Sequence, residues 1–396
     1  MSDKERLFTR DFILISAIAL CSTMNYFLIL IIITSFSMEE FAVSDAEAGL
    51  SAGLFIIGGL SSRLLLGKYI ELVGRKRMLL IALSAAFLMS LTYFFVSSMA
   101  MLYLIRFAHG LAYGLTNNCT SDIIAKIVPP SRRGEGLGYY ALSVTISTSL
   151  GPLIGMSLAP NYTAVFMVGT CMYIIAPIFA ILARIPEETL TEEQKREAKS
   201  FSIHNMLQFS AIPIAVVITI AHFAYSGVLS FISEYSSTLE AITTASVFYI
   251  AVACGTLVSR LTTGKVFDRK GPNAIISLGF VLFVVGMTMF SRAPNDLVFM
   301  ASGFILGYGM AIIYAVGQAS AISKSPVHRY GVTTATYSAI ADIGLGIGPM
   351  VLGLMIPVLG YNDMYLMCAG IGACTLVIYW LVYGLKERRI RAQHSR

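Results

Sequence analysis

Twelve runs of mainly apolar residues follow one another along this chain, at 12–36, 47–67, 77–97, 100–127, 135–158, 161–183, 208–233, 243–264, 272–292, 296–323, 332–356 and 363–384. A helix that crosses a bilayer needs about 20 such residues, so each run predicts one spanning helix. The expected fold is an all-α membrane protein of twelve transmembrane helices. The first run follows Lys4, Arg6 and Arg10, a basic start that a signal peptide also has. Its apolar stretch is too long for that role and no small-residue cleavage site follows, so it reads as an uncleaved first span.

The polar stretches divide the chain. The longest, 184–205, mixes Glu187, Glu188, Glu192, Glu193, Glu197, Lys195, Arg196 and Lys199 near the midpoint. It reads as a linker over 186–206 between an N-terminal six-helix bundle, 1–185, and a C-terminal one, 207–396. The two halves also align without gaps at an offset of 197 residues. Ser62-Arg63-Leu64 repeats as Ser259-Arg260-Leu261, Gly67-Lys68 as Gly264-Lys265, Gly74 as Gly271, Arg132 as Arg329, and Gly151-Pro152 as Gly348-Pro349. The bundles are therefore expected to be pseudo-symmetric parallel repeats. Proteins built this way bind substrate near the membrane midplane and rock one half against the other.

Composition removes the other classes. Of 396 residues, 56% are hydrophobic and only 13% charged, with a mean hydropathy of +0.75. A soluble protein carries about 25% charged residues. Charge placement then gives the +6 net charge its meaning: 24 of the 28 lysines and arginines lie at the termini or in connections after even-numbered spans. The positive-inside rule assigns those connections and both termini to the cytoplasm. The basic excess is membrane anchoring, and no nucleic acid partner is expected. The short loops suit a bacterial inner membrane. All six cysteines fall in apolar runs without ligand spacing, so no metal site is expected. No Walker or HExxH pattern appears, and the chain is not expected to be an enzyme.

Two motifs carry a family resemblance. Gly67-Lys68-Tyr69-Ile70-Glu71-Leu72-Val73-Gly74-Arg75-Lys76-Arg77 lies between spans 2 and 3, and its second copy runs from Gly264 through Asp268 to Gly271. This pattern resembles the loop 2–3 signature of the major facilitator superfamily, with Glu71 where Asp is usual, and the resemblance extends along the whole chain. Glycine permits close helix approach, and the basic cluster holds the loop on one side. The resemblance implies a monomeric secondary transporter in the lipid bilayer, working by alternating access on a small-molecule substrate. It implies no cofactor, with a proton gradient as the energy source.

Span 4 reads Arg106-Phe107-Ala108-His109-Gly110-Leu111-Ala112-Tyr113-Gly114, similar to the family's span-4 arginine motif. Arg106, Gly110, Tyr113 and Asn117 share one helical face, either as a cavity stripe or as a structural set. Span 5 resembles the proton-antiporter signature in Gly138, Gly151, Pro152 and Gly155, with Ser147 and Met156 replacing two glycines. Its glycines and proline serve antiport or packing alone.

Proton coupling needs a titratable group in a low-dielectric position. Asp342 is the carboxylate deep within a span, about 15 Å from the start of span 11. In the family fold the loop 2–3 motif packs against span 11, so the resemblance puts Arg63 and Asp342 on facing helices as a coupling pair. His222, the repeat mate of Asn25, is a second proton candidate. Asn25, Tyr26, Arg106, Tyr113, Asn117, Tyr314 and Gln318 are the substrate-cavity candidates, and Asp122 is a structural partner for Arg75, Lys126 or Arg132. The function expected is proton-coupled efflux of a small amphipathic or drug-like molecule. The alternative is proton-coupled uptake of a small anionic or zwitterionic metabolite.

Overall fold

A computed structural model describes residues 7–66, 69–129, 133–159, 161–186, 207–239, 247–270, 272–325 and 330–385. The helices begin where the sequence supplies caps. The Thr9 hydroxyl accepts from the Phe12 N–H and starts α1 (Arg10–Leu30). Four β-branched residues, Ile31 to Thr34, then weaken the helix, and the first predicted span breaks before continuing as α2 (Ile33–Phe41). α3 (Asp45–Leu65) opens on a reciprocal cap. The Ser44 N–H and hydroxyl donate to the Glu47 carboxylate at 3.1 and 2.8 Å, and the Glu47 N–H donates back to Ser44 Oγ at 3.4 Å.

The short α4 (Tyr69–Val73) leads through Gly74 into α5 (Arg75–Thr92), which ends in a 3-10 turn, Tyr93–Phe95. α6 (Met99–Ile127) is capped by Ser98, α7 is Arg133–Leu158, and α8 (Tyr162–Leu182) is capped by Asn161. Beyond the linker come α9 (Ile212–Ser237), α10 (Phe248–Lys270), α11 (Pro272–Ser291) and α12 (Asp296–Ser323). Predicted spans 11 and 12 run together as α13 (Tyr330–Tyr379), broken at Gly360, whose φ of 71° a side chain would strain. The last turn, Trp380–Gly384, is π-helical. With α13 counted as two spans, the described residues hold twelve crossings.

Eight helical segments, one of them containing both spans of α13, are long and apolar enough to cross a membrane. The spans outside that set are α3, α6 and α10. These carry Arg63, Arg106 and Arg260.

The chain divides into two compact units, Met1–Phe41 with Leu54–Phe201, and Ala42–Gly53 with Ser202–Arg396. In the first, α1 packs on α6, α7 and α8, and α5 on α6 and α8. In the second, α9 packs on α13, while α12 takes α10 and α11. The opening turns of α3 cluster with the second unit. There the Tyr361 phenol donates to Asp45 at 3.0 Å, and Gly49 and Gly53 lie against the backbone of Pro349 and Gly346.

Within each unit the sequence repeat becomes the same physical contact. A Cβ on Gly58 would strike the Phe107 carbonyl, and one on Gly110 the Phe55 carbonyl. At the same offset, Gly255 meets the Phe304 carbonyl and Gly307 the Val252 carbonyl. Two helices cross backbone to backbone in both units because glycine removes the side chain between them. The span-5 motif works in the same way. Gly151 and Gly155 lie against the α1 backbone at Met24 and Leu28. Ser147, where the signature has glycine, donates to the Leu20 carbonyl at 2.9 Å and so keeps α7 close to α1.

Candidate functional site

In the second unit the structure brings together two titratable residues that the sequence separates by 120 positions. His222 on α9 is 7% exposed and its Nδ1 lies 3.0 Å from the Ala341 carbonyl on α13. A carbonyl only accepts, so Nδ1 carries the proton and neutral His222 keeps its lone pair on Nε2. The next residue along α13 is Asp342, half-buried and within electrostatic reach of both His222 and the Tyr337 hydroxyl. Tyr314 of α12 stacks on the imidazole, with ring centroids 5.5 Å apart and planes at 12°.

Arg260, whose partner the repeat leaves open, is within electrostatic reach of Tyr314. Gln318, one turn further along α12, is half-buried. An apolar cleft of about 330 Å³ in the same unit is lined by Thr219, Ile220, Phe223, Ile343, Gly344, Ile347 and Ile371, the chain neighbours of His222 and Asp342 among them.

The first unit holds a second polar set behind an aromatic wall. Arg106 is fully buried, its guanidinium 4.5 Å from the centre of the Phe55 ring and its Nη1 donating to the Tyr93 hydroxyl at 3.3 Å. The same hydroxyl lies 3.3 Å from His109 Nδ1. Arginine has no acceptor, so Arg106 donates to Tyr93, and the direction between Tyr93 and His109 follows the imidazole tautomer. Tyr26, Phe55 and Tyr113 pack ring against ring, with centroids 4.9 to 5.3 Å apart. Asn25 is fully enclosed against Gly169 of α8, and neither its amide oxygen nor its nitrogen has a hydrogen-bond partner. Asn117 is half-buried. Arg63 on α3 lies within electrostatic reach of the Tyr140 hydroxyl.

At the end of this unit where basic connections gather, Arg75 meets Asp122, while Arg132 lies outside the described residues. The Nε of Arg75 pairs with the carboxylate at 2.5 Å and its Nη1 reaches the Pro186 carbonyl at 3.4 Å. Lys76 donates to the Ile181 and Ala183 carbonyls, both at 2.9 Å, closing the end of α8. The loop 2–3 motif is thus a knot of α5, α6 and α8, in which Gly74, at φ 98°, makes the turn.

Gly67 and Gly271 lie outside the described residues, as does the linker from 187 to 206. Glu71, Gly138, Gly264 and Asp268 fall within helices, but their side chains and surroundings are also outside what is described. One carboxylate escaped the sequence reading. Span 7 is expected to end at 233, whereas α9 runs to Ser237 and so includes Glu234, with one carboxylate oxygen buried. A polar residue at the edge of an apolar run reads as loop until the helix is seen to continue past it.

A family model described as Major Facilitator Superfamily matches residues 15–278 and 214–396. The chain belongs to the major facilitator superfamily. Among curated relatives of this superfamily member, the multidrug resistance protein MdtG of Proteus mirabilis is 24% identical over 375 residues, covering 89% of this chain and 90% of its own. The staphylopine export protein of Staphylococcus aureus is 20% identical over 354 residues, covering 87% and 89%. Among solved structures, the nucleoside transporter NupG superposes with a TM-score of 0.75 at 11% identity, covering 95% of this chain and 99% of its own. Family and fold are those of transporters, not enzymes. This chain is an integral, multi-pass membrane protein acting on small molecules.

Proposed function

We propose that this superfamily member is a proton-coupled antiporter that exports a small amphipathic solute. The halves 1–185 and 207–396, joined by 186–206, are its alternating parts, and Asp342, His222 and Arg63 its coupling groups. The observation that carries this reading is the neighbourhood of Asp342 and His222. A carboxylate and an imidazole that interact closely titrate as a pair and can hold one exchangeable proton between them. The apolar cleft in the same unit suits an amphipathic solute, and two relatives are named for resistance and export.

Tyr26, Tyr113, Asn117, Tyr314 and Gln318 are assigned to the substrate path, with Asn25 and Arg106 supporting it from within. By the positive-inside rule both termini face the cytoplasm of a bacterial inner membrane. The transporter is taken to act as a monomer, with the proton gradient as its energy source and no cofactor.

Proteoliposomes with an imposed pH gradient and ethidium as the amphipathic probe test the reading. Wild type should move dye against its gradient only while the pH gradient lasts, and Asp342→Asn should transport only downhill. Full gradient-driven transport by Asp342→Asn would sink the coupling assignment. Arg63→Gln, measured in the same way, tests the third coupling group.

The fully buried Arg106 guanidinium favours a second reading, uptake of a small anionic or zwitterionic metabolite. Gradient-driven accumulation of lactate in place of dye expulsion would favour it.

A further inference from the structure

We propose that Tyr314 is a positioning residue for the His222–Asp342 pair: its ring fixes the rotation of the imidazole and its hydroxyl ties down the helical turn that carries the carboxylate. The proposal rests on the proton-coupling reading above. Tyr314 reaches three helices from α12. Its ring lies parallel to His222 of α9, 5.5 Å away at 12°. Its hydroxyl is 3.1 Å from Ser338 Oγ of α13, and Ser338 stands four residues, one helical turn, before Asp342. Its carbonyl accepts the Tyr337 hydroxyl at 2.8 Å. From α10, Arg260 acts on it electrostatically.

The need for such a residue follows from the geometry of His222. Its Nδ1–H is held by a single bond, to the Ala341 carbonyl at 3.0 Å. One hydrogen bond leaves an imidazole able to flip about its Cβ–Cγ bond, which breaks the contact at Nδ1 and turns Nε2, the atom that takes a proton, to another side. A parallel ring on one face removes that freedom. The Ser338 contact does the same for Asp342 by fixing the preceding turn of α13. Among the described residues, the charged and titratable groups that reach the pair from the packed helices include Tyr314, Tyr337 and, through Tyr314, Arg260.

The test is histidine side-chain NMR on the full chain in lipid nanodiscs, which needs no substrate. The five histidines are assigned with His222→Gln. In wild type, neutral His222 should show one dominant tautomer with the proton on Nδ1. Tyr314→Leu and Tyr314→Met, two ring-less variants that guard against one failing to fold, should lose that single tautomer and move the titration midpoint by half a pH unit or more. Tyr314→Phe should restore the tautomer, because the stack returns. It should still shift the midpoint, because the Ser338 bond is lost.

Ring-less variants with the wild-type tautomer and midpoint would overturn the stacking role. A Tyr314→Phe midpoint equal to wild type would overturn the role of the hydroxyl. Asp342→Asn separates the two layers of argument. If it leaves dye transport proton-driven while the ring-less variants still scramble the His222 tautomer, the coupling reading fails and the positioning geometry stands.

Discussion

Arg75 and Asp122 form a buried ion pair across α5 and α6, with the arginine side chain 3% and the carboxylate 33% exposed. Removing the carboxylate takes away the negative charge that faces this enclosed guanidinium, which also donates to the Pro186 carbonyl. Breaking a fully buried pair costs about 3–5 kcal/mol. Asp122 is one-third open, so Asp122→Asn should cost on the order of 2 kcal/mol. Thermal unfolding of the purified protein should show a lowered Tm. Arg75→Lys should lower it as well, because an ammonium cannot reach both the carboxylate and the carbonyl as the rigid guanidinium fork does. A Tm unchanged in Asp122→Asn would mean the pair contributes nothing.

The paired glycine crossings predict a symmetric effect. Gly110→Ala and Gly307→Ala each place a methyl group against a backbone carbonyl that cannot retreat, so both should lower Tm and reduce transport. Gly370→Ala is the control, since a Cβ there meets nothing within 4 Å. It should gain slightly or stay level, because alanine is the better helix former by about 1 kcal/mol. Equal behaviour of all three variants would show that close helix approach is not what these glycines supply.

Asn25 predicts a stabilising substitution. Its amide is enclosed with both polar atoms unsatisfied, and each such atom costs about 1–3 kcal/mol in lost hydration. Asn25→Leu keeps the branched four-atom side chain and removes the polar atoms, so Tm should rise. If Asn25 meets water or solute at another stage of the cycle, the same variant should also slow transport. A fall in Tm would show that the amide is satisfied in the membrane.

The reciprocal cap at the start of α3 predicts a small, local effect. Glu47→Ala removes both bonds donated by Ser44 and should loosen the start of the helix. Hydrogen exchange should report it as faster opening of the first turn of α3. Unchanged exchange at residues 45–48 would show that the cap is not used.

Much of the architecture is legible along the chain because a bilayer enforces it. Backbone groups must be satisfied within each crossing, so helices of about 20 apolar residues are the available solution. The boundaries that failed are those where no penalty acts on a local window. Residues 31–32 break the first span without any proline, and Gly360 is the sole interruption between spans 11 and 12. Glu234 read as loop because a polar residue at the edge of an apolar run gives no local sign that α9 continues to Ser237.

Sequence by itself determined the twelve crossings, the repeat at 197 residues and the family, because apolar length, basic bias and glycine spacing are one-dimensional signals. Only the tertiary structure decided which scarce polar groups meet. It set His222 beside Asp342 under Tyr314, gave Asp122 to Arg75 and turned Asn25 toward Gly169 instead of toward its repeat mate's kind of partner. The reason is physical: a helical face spreads its neighbours over several other helices, and which of these comes close is settled by packing at residues such as Gly58 and Gly110, far from the polar groups themselves.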